Sequence, residues 1–232
     1  MSSTNTGIEW TDKTWNPTTG CDKVSPGCAN CYAEALTKRF PKTFVSGFNL
    51  TLYPERLKEP LRWQKPSRIF VNSMSDLFHK DVPLGFIGEV LSVIRSTPQH
   101  SYQILTKRPE RLPEILSNLV LPDNVWLGVS VESQNYVQRI DYIRNVPVPV
   151  RFISCEPLLG DLTLDLSNIN WVIVGGESGQ NSRSMNLDWA RSVRNQCQSA
   201  GVAFFFKQVG GKTSKANGNL LDGKIWNEMP EV

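Results

Sequence analysis

Histidine is scarce in this chain. Only His79 and His100 occur among 232 residues, and neither stands at a metal-ligand or catalytic spacing, so nothing is assigned to them. Long apolar runs are missing too: no stretch approaches the length of a membrane span, and no membrane partner is expected. The opening MSSTNTGIEWTDKTWNP lacks a basic segment followed by an apolar one, so no secretory signal is expected and the anticipated location is cytoplasmic. A strong excess of either charge is absent. The formal charge of +3 permits an anionic partner but falls short of the balance of a dedicated nucleic-acid binder. There is no low-complexity segment and no sequence-level repeat.

What is present is an ordinary globular composition, 40% hydrophobic, in a chain long enough for a full core. From about residue 68, β-branched and aromatic runs alternate with helical patterns. The expected strands are RIFVNS (68–73), YQILT (102–106), VWLGVSV (125–131), VRFISC (150–155), WVIVGG (171–176) and VAFFFK (202–207). Most are continuous apolar runs, which suits parallel strands covered on both faces. Amphipathic helices are expected over 84–96, 109–119, 134–145 and 187–200, the last capped by Asn186 and stopped by Gly201. The connection 157–169 has no helical period. The fold expected is α/β: a single-domain parallel (β/α) barrel or partial barrel, residues 1–232. Within it, 18–33 forms a loop, about 66–208 the barrel core, and 209–232 a C-terminal tail whose GGKTSKANG segment is flexible.

In such folds the chemistry gathers at the C-terminal ends of the strands. Those ends carry Asn72-Ser73-Met74-Ser75-Asp76, Thr106-Lys107-Arg108, Ser130-Val131-Glu132, Cys155-Glu156, Gly175-Gly176-Glu177 and Lys207-Gln208. Polar turns account for the Ser and Gly, but less well for a Glu or Lys directly after buried residues. A functional rim is the expectation, with an ion pair between Glu177 and Lys207 as the competing structural account.

Three of the five cysteines crowd into TTGCDKVSPGCANCYAEALTKRF, residues 18–40, as Cys21-x6-Cys28-x2-Cys31. A C-x2-C pair brings two thiolates to one metal, and Pro26-Gly27 supplies a turn before Cys28. A structural zinc site needs four closed ligands, and no fourth Cys or His lies nearby, although a carboxylate or Cys155 can complete a set. A cubane iron–sulfur cluster with three protein ligands leaves one iron open for a small molecule. Three unligated thiols are the remaining alternative.

A three-cysteine loop followed by a helix and a parallel barrel resembles the radical S-adenosylmethionine (SAM) superfamily. More narrowly, TWNPTTGCDKVSPGCANCYAE with SMSDLFH, LTKRPERL, GVSVES, SCEPLLG, VGGESG, FFFKQVGG and LLDGKIWNEMP resembles a phage-linked, three-cysteine, radical-SAM-like family of unknown function. The resemblance covers nearly the whole chain. It departs from the common radical SAM loop in two ways: six residues separate the first two cysteines where three are usual, and Asn30 precedes Cys31 where an aromatic is usual, with Tyr32 following.

The resemblance implies a [4Fe-4S] cluster on Cys21, Cys28 and Cys31, with S-adenosyl-L-methionine on the open iron and reductive cleavage to a 5′-deoxyadenosyl radical. It implies SAM contacts from Asn72, Ser73, Ser75 and Asp76 (amino group), Lys107 (carboxylate), Ser130 and Glu132 (ribose), and a close backbone approach at Gly175 and Gly176. Glu156, Glu177 and Lys207 are left for substrate. Cys155 is a hydrogen-atom donor, a fourth ligand or simply a buried hydrophobe, and Cys197 is packing. The implied partners are SAM, a reductant such as a flavodoxin or ferredoxin, and a nucleotide or nucleic acid near Lys107, Arg108, Arg111, Arg183, Lys207, Lys212 and Lys215. The alternative is a non-radical barrel in which zinc or an Fe–S centre organises a nucleic-acid-binding module.

Overall fold

Continuous runs of Val, Ile and Phe bury both faces of a strand, and the structure, a computed structural model describing residues 6–231, forms strands from each such run. In chain order the elements are β1 (Lys13–Trp15), β2 (Thr18–Thr19), α1 (Tyr32–Arg39), β3 (Thr51–Leu52), β4 (Arg68–Val71), α2 (Leu84–Ser96) and β5 (Ser101–Thr106). There follow α3 (Leu112–Asn118), β6 (Val125–Ser130), β7 (Val150–Cys155), β8 (Trp171–Gly175), α4 (Leu187–Ala200), β9 (Ala203–Gln208), β10 (Leu220–Leu221) and β11 (Lys224–Ile225). Seven strands form one sheet in the order β1-β4-β5-β6-β7-β8-β9. The pairs β1–β4, β4–β5, β7–β8 and β8–β9 are parallel, and β1 and β9 stand at the two ends of the order. This is the expected parallel α/β class of partial-barrel type. Every residue of β6 and β8 is buried, as a doubly covered parallel sheet requires. Among the described residues no helix is long and apolar enough to cross a membrane.

The chain gathers into two compact units. The first comprises the residues up to Asp22, Ala33–Leu127 and Pro147–Pro149. The second comprises Lys23–Tyr32, Gly128–Val146 and the chain from Val150 onward.

In the first unit, β1 extends the expected core toward the N-terminus. Its three residues pair with β4 in the register Lys13↔Ile69, Thr14↔Phe70 and Trp15↔Val71. Trp15 is fully buried, donates its indole N–H to the Arg56 carbonyl (2.9 Å) and meets the Tyr102 ring edge-on at 5.9 Å. Helix α2 buries Phe86, Ile87, Val90, Leu91 and Ile94, the one-sided spacing of an amphipathic helix.

In the second unit, Phe152, Trp171, Ile173, Phe204 and Phe206 are buried along β7, β8 and β9, and α4 covers the unit with Ala190, Val193 and Cys197. The predicted caps of α4 are both present. Asn186 Oδ1 accepts from the Asp188 amide (2.9 Å), and Gly201 takes φ 67°, the left-handed geometry glycine adopts without a Cβ penalty.

Two expectations need correction here. Residues 134–145 are not an α-helix: Gln134–Tyr142 is a run of 3-10 turns ending in an Ile143 N–H to Ile140 carbonyl bond. Asn135, Tyr136, Val137, Ile140 and Asp141 are all weak α-helix formers, so the tighter turns cost little here. Nor is the segment after residue 209 a loose tail. Val209 N bonds to Gly218 O, Gly211 N to Glu177 O, and Asn217 Nδ2 to Gly210 O. Farther on, β10 and β11 form an antiparallel hairpin, Phe206 N bonds to Trp226 O, and Trp226 is buried.

If β1 belongs to the folded core, Trp15→Ala costs about 3–5 kcal/mol, the usual range for emptying a buried aromatic site. Urea unfolding checks it: the midpoint falls with an unchanged slope.

Candidate functional site

In the first unit the residues after β4 wrap the approach to Cys21. Asn72 has φ 60°, a left-handed conformation that asparagine tolerates. Its Oδ1 accepts from Thr18 N (3.2 Å) and its amide donates to Trp15 O (2.7 Å), while its buried Nδ2 has no hydrogen-bond partner. Ser73 Oγ donates to Asn16 Oδ1 (3.2 Å). Ser75 Oγ donates to Gly20 O (2.6 Å), and Gly20 N to Met74 O (2.9 Å).

Asp76 is the hub of this region. Its carboxylate accepts from Thr106 Oγ1 (2.9 and 3.0 Å), Lys107 N (3.0 Å), Phe78 N (3.0 Å) and Arg108 Nη1 (3.4 Å). The amino-group role expected for Asp76 therefore meets a carboxylate already engaged from within. The Lys107 side chain is half-buried and has no ion pair among the described residues.

Arg108, named in the sequence only as one of several rim cations, has the larger part. It is 5% exposed and donates to Cys21 Sγ (3.3 Å), Asp22 O (3.0 Å) and Asp76. Burial pushes its pKa down, but the negative charges of Asp76 and Cys21 outweigh that and raise it, so Arg108 remains a cation.

His79, unassigned from the sequence, is buried beside Asp22 and Asp81, and these three are close enough together to hold a cation. Asp81 N donates to Nδ1 (3.2 Å), which leaves the proton on Nε2, 3.2 Å from Asp22 Oδ2. Burial, then the Arg108 charge, lowers the His79 pKa, so the ring is neutral at neutral pH. His79 thus lies beside the side chain of Asp22, the residue next to Cys21.

In the second unit, Cys28 ends the 3-10 turn Pro26–Cys28, with its amide on Ser25 O (2.9 Å) and its sulfur 3.7 Å from Ser25 Oγ. Cys31 directly precedes α1. Between them, Asn30 Nδ2 donates to Glu177 Oε2 and to Asn181 O, both at 2.9 Å. Glu177 also accepts from Arg183 N and Nε (2.9 Å each) and from Nη2, which also reaches Pro26 O (3.0 Å). Burial pushes the Glu177 carboxyl up, but the bonds from Arg183 and Asn30 outweigh it and hold its pKa below the usual 4.5.

The predicted Glu177–Lys207 ion pair is not formed. Glu177 pairs with Arg183, six residues away on the same exit loop, and Lys207 Nζ pairs with Glu156 Oε1 at 2.8 Å. Ser154 Oγ donates to the other Glu156 oxygen (3.2 Å). Glu132, fully buried, bonds through Oε2 to Arg139 (3.0 Å), which also donates to the carbonyl of buried Ser130 (2.9 Å). Nothing in the sequence signals Arg139. Glu132 Oε1 has no hydrogen-bond partner and lies against Gly27, where an added Cβ would stand 3.2 Å from it.

The two glycines expected to admit a ligand make room for the protein itself. A Cβ at Gly176 would lie 1.9 Å from the Val209 carbonyl oxygen, and one at Gly175 would lie 2.8 Å from Glu156 Oε1. Cys155 is fully buried. Burial and then the neighbouring Cys197, Glu156 and Glu132 raise its thiol pKa well above the ordinary value, which is the environment of an inert packing residue. No disulfide joins the five cysteines.

The profile of the family described as protein of unknown function (DUF5131) matches residues 5–230. The chain belongs to that family. No curated protein matches the sequence. Among solved structures, a spore photoproduct lyase variant with bound AdoMet (S-adenosylmethionine) and dinucleoside spore photoproduct is similar, with TM-score 0.51 and 12% identity over 80% of this chain and 61% of that one. Spore photoproduct lyase complexed with dinucleoside spore photoproduct gives TM-score 0.53 and 11% identity over 84% and 64%. The chain thus spans less than two thirds of the lyase, and the likeness is one of fold. This DUF5131 member shares the fold of spore photoproduct lyase over that span.

Two measurements check these networks. Asp76→Asn leaves Arg108 without its counter-charge and costs about 3 kcal/mol or more, read as a lower urea midpoint. Glu177 has a folded-state pKa below its usual value, so its contribution is fully present above that value and is lost as pH falls through the lowered one. The stability gap between wild type and Glu177→Gln is therefore constant from neutral pH to about 5 and narrows below about 4.

Proposed function

We propose that this protein is a radical SAM enzyme in which Cys21, Cys28 and Cys31 hold a [4Fe-4S] cluster and S-adenosyl-L-methionine is the co-substrate. The observation that carries the reading is the radical SAM-like fold joined to a loop with three half-buried thiols, none in a disulfide. The donor set fits the group. Thiolates are the usual ligands of such clusters, and Arg108 supplies a buried hydrogen bond and positive charge to Cys21 Sγ. When bound, a reduced cluster of this kind supplies the electron that splits SAM into methionine and a 5′-deoxyadenosyl radical, which abstracts hydrogen from the substrate.

The chain's own residues hold and orient the cofactor. Lys107, a cation without an ion pair among the described residues, serves the SAM carboxylate. Glu132 Oε1, buried without a donor, accepts from a ribose hydroxyl, with Ser130 two residues before it. Asn72, Ser73 and Ser75 stand on the amino-group side, following β4 in sequence. Glu156 and Lys207 are half-buried and face the substrate as a pair, ready to exchange their mutual contact for a polar substrate. Asp76 acts one step back by holding Arg108 and the Lys107 backbone. The residues 1–232 act as one functional domain.

The substrate class proposed is a nucleotide or nucleic acid, supported by the dinucleoside bound in the structural neighbours and by the cations Lys212 and Lys215 after β9. A small electron-transfer protein such as a flavodoxin or ferredoxin supplies the electron.

Anaerobic reconstitution, reduction and incubation with SAM test this reading. Wild type yields 5′-deoxyadenosine and the Cys21, Cys28, Cys31 triple alanine variant yields none above background. A brown, cluster-loaded wild type that makes no 5′-deoxyadenosine contradicts it. A colourless protein that binds zinc through the same cysteines does so equally and favours a metal-organised binding module.

A further inference from the structure

The cysteine loop is anchored at a site that a substrate-facing glutamate would leave open. We propose that Asn30, Glu177 and Arg183 form a positioning clamp on the Cys28–Cys31 turn, so that Glu177 acts on the chemistry through the loop and does not touch substrate. The proposal rests on the cluster reading above but makes its own claim about the protein alone.

Three features carry it. First, the Glu177 carboxylate, 6% exposed, accepts from Asn30 Nδ2 and from three Arg183 donors, which occupies both of its oxygens. Second, the contacts bracket the turn. Asn30 lies directly before Cys31, and Arg183 Nη2 donates to the carbonyl of Pro26, two residues before Cys28. That carbonyl also receives the Ala29 amide, so it sits inside the turn that presents Cys28. Third, the Asn30 side chain uses its amide hydrogens on Glu177 and Asn181, which ties the residue before Cys31 to the β8 exit at two points.

The backbone of the β8 exit is itself braced. Gly211 N donates to Glu177 O, and Gly179 N to Gly211 O, so the loop 210–218 fixes the far side of the clamp. Two C-x2-C thiols held this way keep a defined separation before any metal arrives. That is preorganisation, in which outer-shell partners orient the ligands that touch the metal.

Hydrogen exchange on the metal-free protein tests the clamp. In Asn30→Ala, which leaves the Glu177–Arg183 pair intact, and in Glu177→Ala, the peptides covering 25–31 exchange about tenfold faster or more, as expected where local opening is eased. Peptides from β7, β8 and α4 keep their wild-type rates in Asn30→Ala. Arg183→Lys, which keeps the charge but loses the reach to Pro26, lies between. After anaerobic reconstitution both alanine variants retain less iron per chain, and their residual electron paramagnetic resonance signal is broadened.

Unchanged exchange at 25–31 in Asn30→Ala overturns the clamp, as does acceleration spread evenly over the whole second unit. If exchange responds as expected but wild type itself binds no iron, the clamp stands and the cluster reading falls.

Discussion

A charged side chain that leaves water must find a counter-charge, and that constraint organises the polar end of this sheet. The parallel strands bury their apolar runs on both faces and then release the chain into acidic and basic residues. Each unit settles those charges internally: Asp76 with Arg108 in the first, and Glu132 with Arg139, Glu156 with Lys207, and Glu177 with Arg183 in the second. The pairs do more than cancel. Arg108 and Arg183 each continue to the cysteine loop, one to a sulfur and the other to the carbonyl two residues before one.

The pairing divides the rim residues by task. Carboxylates whose oxygens are filled by protein donors, Asp76 and Glu177, act as supports. Asn72 Nδ2 and Glu132 Oε1, by contrast, are buried without a hydrogen-bond partner. Burying a polar atom without a partner costs stability. Gly175 and Gly176 serve the packing of the strand exits.

Much of the fold was legible because strands from residue 68 onward are unbroken apolar runs, and because Asn186 and Gly201 mark the ends of α4 unambiguously. The three-residue β1 carries too little pattern to stand out, and the segment Gln134–Tyr142 has a helical hydrophobic period but weak α-formers, so periodicity alone misread its pitch. Within the site, the cysteine spacing announces itself and the carboxylates mark the strand ends. Their partners do not. Asn30 and Glu177 are 147 positions apart, and Arg108 and Cys21 are 87 apart, so no local signal couples them. Such pairings become visible only when the chain is folded.

The central claim is that three sulfurs from one loop leave a metal corner open to a small molecule. Electron paramagnetic resonance of the reduced, reconstituted protein with and without SAM addresses it most directly. The account predicts a cluster signal whose g-values move when SAM is added, as expected when a ligand joins the open iron. A signal indifferent to SAM, or a metal centre saturated by four protein ligands, would contradict it.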